Sequence, residues 1–179
     1  MTIVLVTGMS GTGKSTVLHE LARRGHRVVD TDSDEWCEWV VDGVGAPDWV
    51  WREDRIAALL AAPTEGVLYI AGCKTNQGRF YEDVGAVVVL VAPAEVLLHR
   101  IADRDTNDYG KSRAERRLVL RHLAEVQPRL VASATAVVDA TMPLDAVADA
   151  LEAIADHVTG KGGLCSGTRP AVADGSSIA

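Results

Sequence analysis

The sequence predicts one α/β domain, a five-stranded parallel sheet flanked by helices. Three observations carry that expectation. Short β-branched runs alternate with stretches of helical period along most of the 179 residues, the pattern of parallel strands joined by helical crossovers. A glycine-rich octapeptide, Gly8-Met-Ser-Gly-Thr-Gly13-Lys14-Ser15, follows the first run almost directly. The length suits a single core burying about two thirds of its unfolded surface.

Ile3 to Val6 is apolar and β-branched, as expected of a strand covered on both faces. Val17, Leu18, Leu21 and Ala22 recur at helical spacing over Lys14 to Arg24, and Gly25 suits the residue that ends a helix. Arg27 to Val29 supplies the second strand. Helical patterns are then expected over Asp34 to Val41 and Trp51 to Ala61, with Asp42 to Trp49, which holds two glycines and Pro47, as the loop between them. The strands Val67 to Ala71, Val87 to Val91 and Ala136 to Val138 follow, with helices over Ala94 to Asp103, Ser112 to Ala132 and Pro143 to Val158. Residues 1–159 make up this domain. From residue 160 to 179 Gly, Ser, Thr and Ala dominate and no apolar period survives, which predicts a disordered tail.

The octapeptide fits G-x-x-x-x-G-K-[ST], the phosphate-cradling turn of the P-loop NTPase fold. Gly8, Ser10, Gly11, Thr12 and Gly13 turn backbone N–H groups toward phosphate oxygens, and Lys14 reaches the outer phosphates as a point charge. The Ser15 hydroxyl suits Mg²⁺, and Thr16 lies in the first turn of a helix whose positive end favours anions.

A formal charge of −7 and a pI near 5.2 oppose broad electrostatic attraction to nucleic acid polymers. The longest apolar stretch, Ala86 to Pro93, is far short of the ~20 residues that span a bilayer. Cys37, Cys73 and Cys165 show no paired ligand spacing, and no signal-peptide pattern precedes the first strand, so the expected setting is the cytoplasm. The five histidines form no metal-ligand grouping. No guanine-reading N-K-x-D stretch occurs. The strand Val67 to Ala71 runs into Gly72-Cys73-Lys74, where an AAA-type motor carries Asp-Glu.

Across about residues 2 to 157 the chain resembles the small P-loop kinases, the shikimate, gluconate and nucleoside monophosphate kinases among them. Val28-Val29-Asp30-Thr31-Asp32 is similar to the strand ending D-T-D of shikimate kinases. The resemblance implies that Asp30 assists Mg²⁺ and that Asp32 receives the acceptor hydroxyl. Carboxylates at a strand end beside the P-loop suit those tasks on chemical grounds as well, although Asp30, Asp32 and Asp34 equally suit the cap of a helix starting near Asp34. Arg52-Glu53-Asp54-Arg55 looks like the D-R-x-x-W-L stretch of gluconate kinases, and Gly72 to Tyr81 occupies the place of their substrate segment. Arg52, Cys73, Asn76 and Arg79, with Asp32 and Asp34, are therefore the acceptor-side candidates. Asp139 to Pro143 resembles the loop that holds adenine, which makes Thr141 and Pro143 nucleotide candidates.

Phosphoryl transfer also requires cations over the moving group. Arg100 and Arg104 share one helix face, and Thr106 to Lys111 has the turn chemistry of a lid, making Arg104 and Lys111 the lid cations. Arg113, Arg117 and Arg121 read instead as a solvated helix face. Trp36, Trp39, Trp49 and Trp51 cluster where the acceptor pocket is expected. They suit either stacking on an acceptor or plain packing. The implied activity is ATP-dependent, Mg²⁺-assisted transfer to a small-metabolite hydroxyl or phosphate, with Lys14, Asp32 and Arg104 as the catalytic set. The alternative is a nucleotide-binding regulator or slow ATPase acting through a protein partner.

Overall fold

Strand β1 (Thr2–Thr7) lies at the centre of the sheet because all six of its side chains are buried. In the computed structural model, which describes residues 2–41, 45–62, 65–104 and 109–162, β1 leads through the P-loop into α1 (Lys14–Arg23). The chain continues through β2 (Arg27–Asp30), β3 (Cys37–Val41), β4 (Pro47–Trp51), α2 (Glu53–Ala61) and β5 (Val67–Ala71). A short 3-10 turn (Gln77–Asp83), β6 (Ala86–Val91), α3 (Ala94–Asp103) and α4 (Arg113–Glu125) follow. The described chain ends with α5 (Gln127–Ser133), β7 (Ala136–Asp139) and α6 (Leu144–Gly162).

The five strands β2-β5-β1-β6-β7 pair in that order, every pair parallel. Because β2 and β5 lie on one side of β1 and β6 and β7 on the other, the chain reverses its course across the sheet at β1. In open α/β sheets that reversal opens a crevice at the carboxyl ends of the strands. Val4, Val6, Leu18, Leu21, Val88 and Leu151 fill one face, beneath α1 and α6. Leu5, Trp51, Ile56, Ile70 and Phe80 fill the other, beneath α2.

Two expectations are corrected here. Asp34 to Val41 is not a helix: residues 34–36 form a turn, and Cys37–Val41 is a strand. It pairs antiparallel with β4 in the register Cys37↔Trp51, Trp39↔Trp49, Val41↔Pro47. The three-residue spacing of Trp36 and Trp39 suggests a helix, yet the β-branched and aromatic run Trp39-Val40-Val41 favours a pleated surface. Trp51 belongs to this hairpin too, so the following helix starts at Glu53. The second correction is at Ser112 to Ala132, which divides at Val126 into α4 and α5. Pro128 lacks a backbone N–H and crowds the preceding turn, which breaks the hydrogen-bond ladder. Smaller shifts occur at the C-terminal end, where α6 runs through Gly162, past the residue 160 boundary of the expected tail. Residues 163–179 lie outside the described residues.

Arg24 bolts α1 to α6. Its guanidinium meets Glu20 at 2.9 Å, Asp149 at 2.6 Å and Glu152 at 2.7 Å, and His26 meets Glu152 at 2.7 Å. Hydrogen bonds from Arg23 and Arg24 hold the Glu20 carboxyl down at about 2, against its usual 4.5. His26 and then Arg24 lower Glu152 as well, against the cost of its burial. A carboxyl whose value is depressed by folding stabilises fully above its unfolded value and less as pH falls through its folded one. The melting temperature should therefore hold steady down to about pH 5 and decline between 4.5 and about 2. Glu20→Gln should flatten that decline. An unchanged slope in the variant would remove Glu20 as its source.

Candidate functional site

At the carboxyl ends of β1, β2 and β5 opens a cleft of about 1280 Å³, walled by the P-loop, the β2–β3 turn, the hairpin and α3. The P-loop is shaped by close approach. Gly8 has φ +146°, and a Cβ there would lie 2.5 Å from the Leu90 carbonyl oxygen, so only glycine lets the loop pass over β6. Thr12, buried, donates its hydroxyl to the Met9 carbonyl at 2.9 Å and closes the turn. Lys14 donates to the carbonyls of Gly8 at 2.8 Å and Met9 at 3.2 Å, which fixes its ammonium at the loop. Burial lowers the Lys14 pKa, while Cys73, Asp32 and Asp30 nearby oppose that shift.

Ser15, first-turn residue of α1, donates its hydroxyl to Asp30 Oδ2 at 2.5 Å. A hydroxyl and a carboxylate make a hard oxygen pair that suits Mg²⁺ carried on phosphate oxygens. Among the described residues no group of three or more His, Cys, Asp and Glu stands ready to hold a metal, so these two oxygens are what the chain offers there. Two residues on, Asp32 faces the same cleft and is half exposed. Its Oδ1 accepts from the Lys74 ammonium at 2.7 Å.

Lys74 is a residue that sequence reasoning missed. Its side chain is 7% exposed, and its ammonium lies 3.7 Å from the centroid of a Trp49 ring, a cation–π contact that a desolvated ammonium strengthens. Gln77, 3% exposed, holds the segment in place. Its side-chain carbonyl accepts from Thr7 Oγ1 at 3.1 Å and from the Lys74 N–H at 3.3 Å. The available signal was position: Lys74 follows the carboxyl end of a strand beside the P-loop strand, the rim where ligands of such sheets bind.

The hairpin is anchored at its base. Trp51, 2% exposed, donates its indole N–H to Thr31 Oγ1 at 2.8 Å and packs edge-on against Phe80. Asn76 bonds both the N–H and the carbonyl of Trp51, at 3.1 and 3.0 Å. Farther out, Trp39 and Trp49 stack with centroids 6.2 Å apart and line the cleft. Gly72 passes beneath, where a Cβ would collide with Thr31 and Trp51.

The cleft gathers Gly8, Ser10, Gly11, Thr12, Gly13, Lys14, Ser15, Thr16, Asp30, Asp32, Cys73, Arg100 and Arg104. The remaining candidates stand elsewhere. Asp34 lies in the exposed turn, off the lining, where the neighbouring Ser33 takes its place. Arg52 donates to the Cys37 carbonyl and pairs with Glu38, and Arg79 is held by both oxygens of Glu53. Asn76 is spent on Trp51. Thr141 gives its N–H and hydroxyl to Asp139 Oδ1, and neither it nor Pro143 lines the cleft. Met142 and Leu144 do instead. Arg100 donates to the Ala140 carbonyl at 2.8 Å, and Arg104 to the Tyr109 carbonyl at 2.7 Å. Residues 106–108 of the expected lid, Thr106 to Lys111, lie outside the described residues. Lys111 immediately precedes Ser112, whose side chain caps α4, and is not part of the lining.

Residues 4–121 match the family described as AAA domain. The chain belongs to that family. Comparison with curated proteins finds no match. Among solved structures it is similar to a gluconokinase from Sinorhizobium meliloti 1021, at 17% identity and a TM-score of 0.58 over 93% of this chain and 98% of that one. A shikimate kinase from Bacteroides thetaiotaomicron superposes at 18% identity and 0.61, over 87% and 98%. A shikimate kinase from Acinetobacter baumannii in complex with shikimate gives 19% and 0.57, over 90% and 94%. The fold of this AAA-domain protein is thus that of the small P-loop kinases. Its β5 is followed by Gly72-Cys73-Lys74, without an acidic pair. No described helix is long and apolar enough to cross a membrane.

Proposed function

We propose that the protein is a kinase that transfers the γ-phosphoryl group of ATP to a hydroxyl of a small metabolite, with Mg²⁺. The observation that carries the reading is one juxtaposition. Lys14 and the Ser15–Asp30 pair stand at the phosphate end of a cleft whose other wall presents Asp32 and two stacked tryptophans. Phosphoryl transfer requires in-line placement and neutralised charge more than covalent help from the protein. Lys14 of the P-loop and Arg100 and Arg104 at the end of α3 line the cleft and would supply positive charge, and Ser15 with Asp30 would hold Mg²⁺, which adds more when bound. Asp32 would orient the acceptor hydroxyl and take its proton. In this reading the enzyme works in the cytoplasm on a dissolved metabolite, and neither a nucleic acid polymer nor a membrane is a partner.

The test is Mg²⁺-dependent ADP release from ATP across nucleosides, nucleoside monophosphates, sugar acids and aminoglycosides, with the Lys14→Ala protein as blank. Stimulation by one class supports the kinase and names its acceptor. A flat panel with ATP still bound would overturn it in favour of the regulator or slow ATPase.

A further inference from the structure

Around the acceptor half of the cleft the cations among the described residues are already committed. Lys74 is bonded to Asp32 and laid on Trp49. Arg52 is paired with Glu38, and Arg79 with Glu53. Asp48, by contrast, lines the cleft and accepts a hydroxyl from Thr75 at 2.5 Å, with no ion pair among the described residues. The acceptor wall therefore sets Lys74 against both Asp32 and Asp48, while the other cations of the cleft, Lys14, Arg100 and Arg104, stand with the P-loop and the end of α3. A carboxylate or phosphate arriving at that wall would meet two carboxylates and, among the described residues there, no uncommitted guanidinium to form the bidentate bonds that recognise such groups.

What the wall does offer is aromatic surface. Trp39 is 70% exposed, and its stack on Trp49 holds the indole in place at little further loss of freedom on binding. Carboxylates beside it accept hydrogen bonds from hydroxyls.

We propose that the acceptor is an uncharged, hydroxyl-bearing ring of nucleoside or glycoside type, free of carboxylate and phosphate, seated on the Trp39–Trp49 stack with its hydroxyl at Asp32. The proposal rests on the kinase reading and sharpens it. It sets this chain apart from kinases of sugar acids and of nucleotides.

The experiment uses the full chain with excess non-hydrolysable ATP analogue and Mg²⁺, and probes matched pairs: glucose against gluconate, and uridine against uridine monophosphate. Binding is read by calorimetry, and ADP release is measured in parallel with ATP. At least one neutral member should bind about tenfold or more tighter than its anionic partner, and Trp39→Ala should lose about tenfold of that affinity. Asp48→Asn should narrow the discrimination about fivefold, the effect of one solvated charge at contact distance. Tighter binding of the anionic members, binding unchanged in Trp39→Ala, or no binding by any member would each overturn the proposal. A neutral ring that binds through Trp39 without raising ADP release would defeat the kinase reading and leave this assignment standing. Stimulation by an anionic acceptor would do the reverse.

Discussion

Lys14→Ala is expected to lower phosphoryl transfer by about 10³-fold while leaving the fold intact. The ammonium is held by the Gly8 and Met9 carbonyls of its own loop, so its place in the cleft is fixed before any phosphate arrives. A charge positioned in advance pays no reorganisation when the transferred oxygens become more negative, and losing one such group costs about 3–4 kcal/mol of barrier. Stability should move little. Burial already lowers the Lys14 pKa, so the folded protein carries a desolvated cation at a cost that alanine removes. The two carbonyls that lose their donor lie in an open cleft, where water replaces it. ATP affinity by calorimetry, single-turnover transfer and thermal melting separate these effects. Unchanged affinity and transfer would remove Lys14 from the phosphate site, and a collapsed melting temperature would make its role structural.

The parallel sheet was legible because its strands are short β-branched runs, a signal that requires no partner to be read. The P-loop was legible because its spacing is fixed by backbone geometry around phosphate, and the Gly8 contact with Leu90 shows how little latitude that leaves. The acceptor wall was harder. Trp36 and Trp39 stand three apart, which matches a helical turn, and only the pairing of Trp39 with Trp49 across a hairpin decides for strands. Arg52, Asn76 and Arg79 have the composition of a binding site, but their partners Glu38, Trp51 and Glu53 come from other elements. Lys74 was passed over for the opposite reason: a lone lysine beside a cysteine carries no pattern until Asp32 and Trp49 are brought to it. Local periodicity thus identified the scaffold, whereas commitments across 14 to 42 positions, from Arg52–Glu38 to Lys74–Asp32, decided which charges remained for chemistry.

Asp32→Asn should reduce transfer by about 10²–10⁴-fold, the range for loss of a positioned general base, with ATP affinity unchanged. The substitution keeps a side-chain oxygen that can still accept from Lys74, so the cleft retains its shape. What it removes is the negative charge that draws a proton from an attacking hydroxyl. Lys74 engages Oδ1 alone, and among the described residues no other side chain bonds the Asp32 carboxylate, which leaves Oδ2 for the acceptor. The stability cost should be small, because Asp32 is 53% exposed and an ion pair so open to solvent contributes about 0–1 kcal/mol. Three measurements are needed: ATP affinity, melting temperature and the single-turnover rate with the acceptor at saturation. Retained affinity and melting with a lost rate assign Asp32 to the chemical step. A rate equal to the parent's would sink that role and leave the Lys74–Asp32 pair as a piece of the wall.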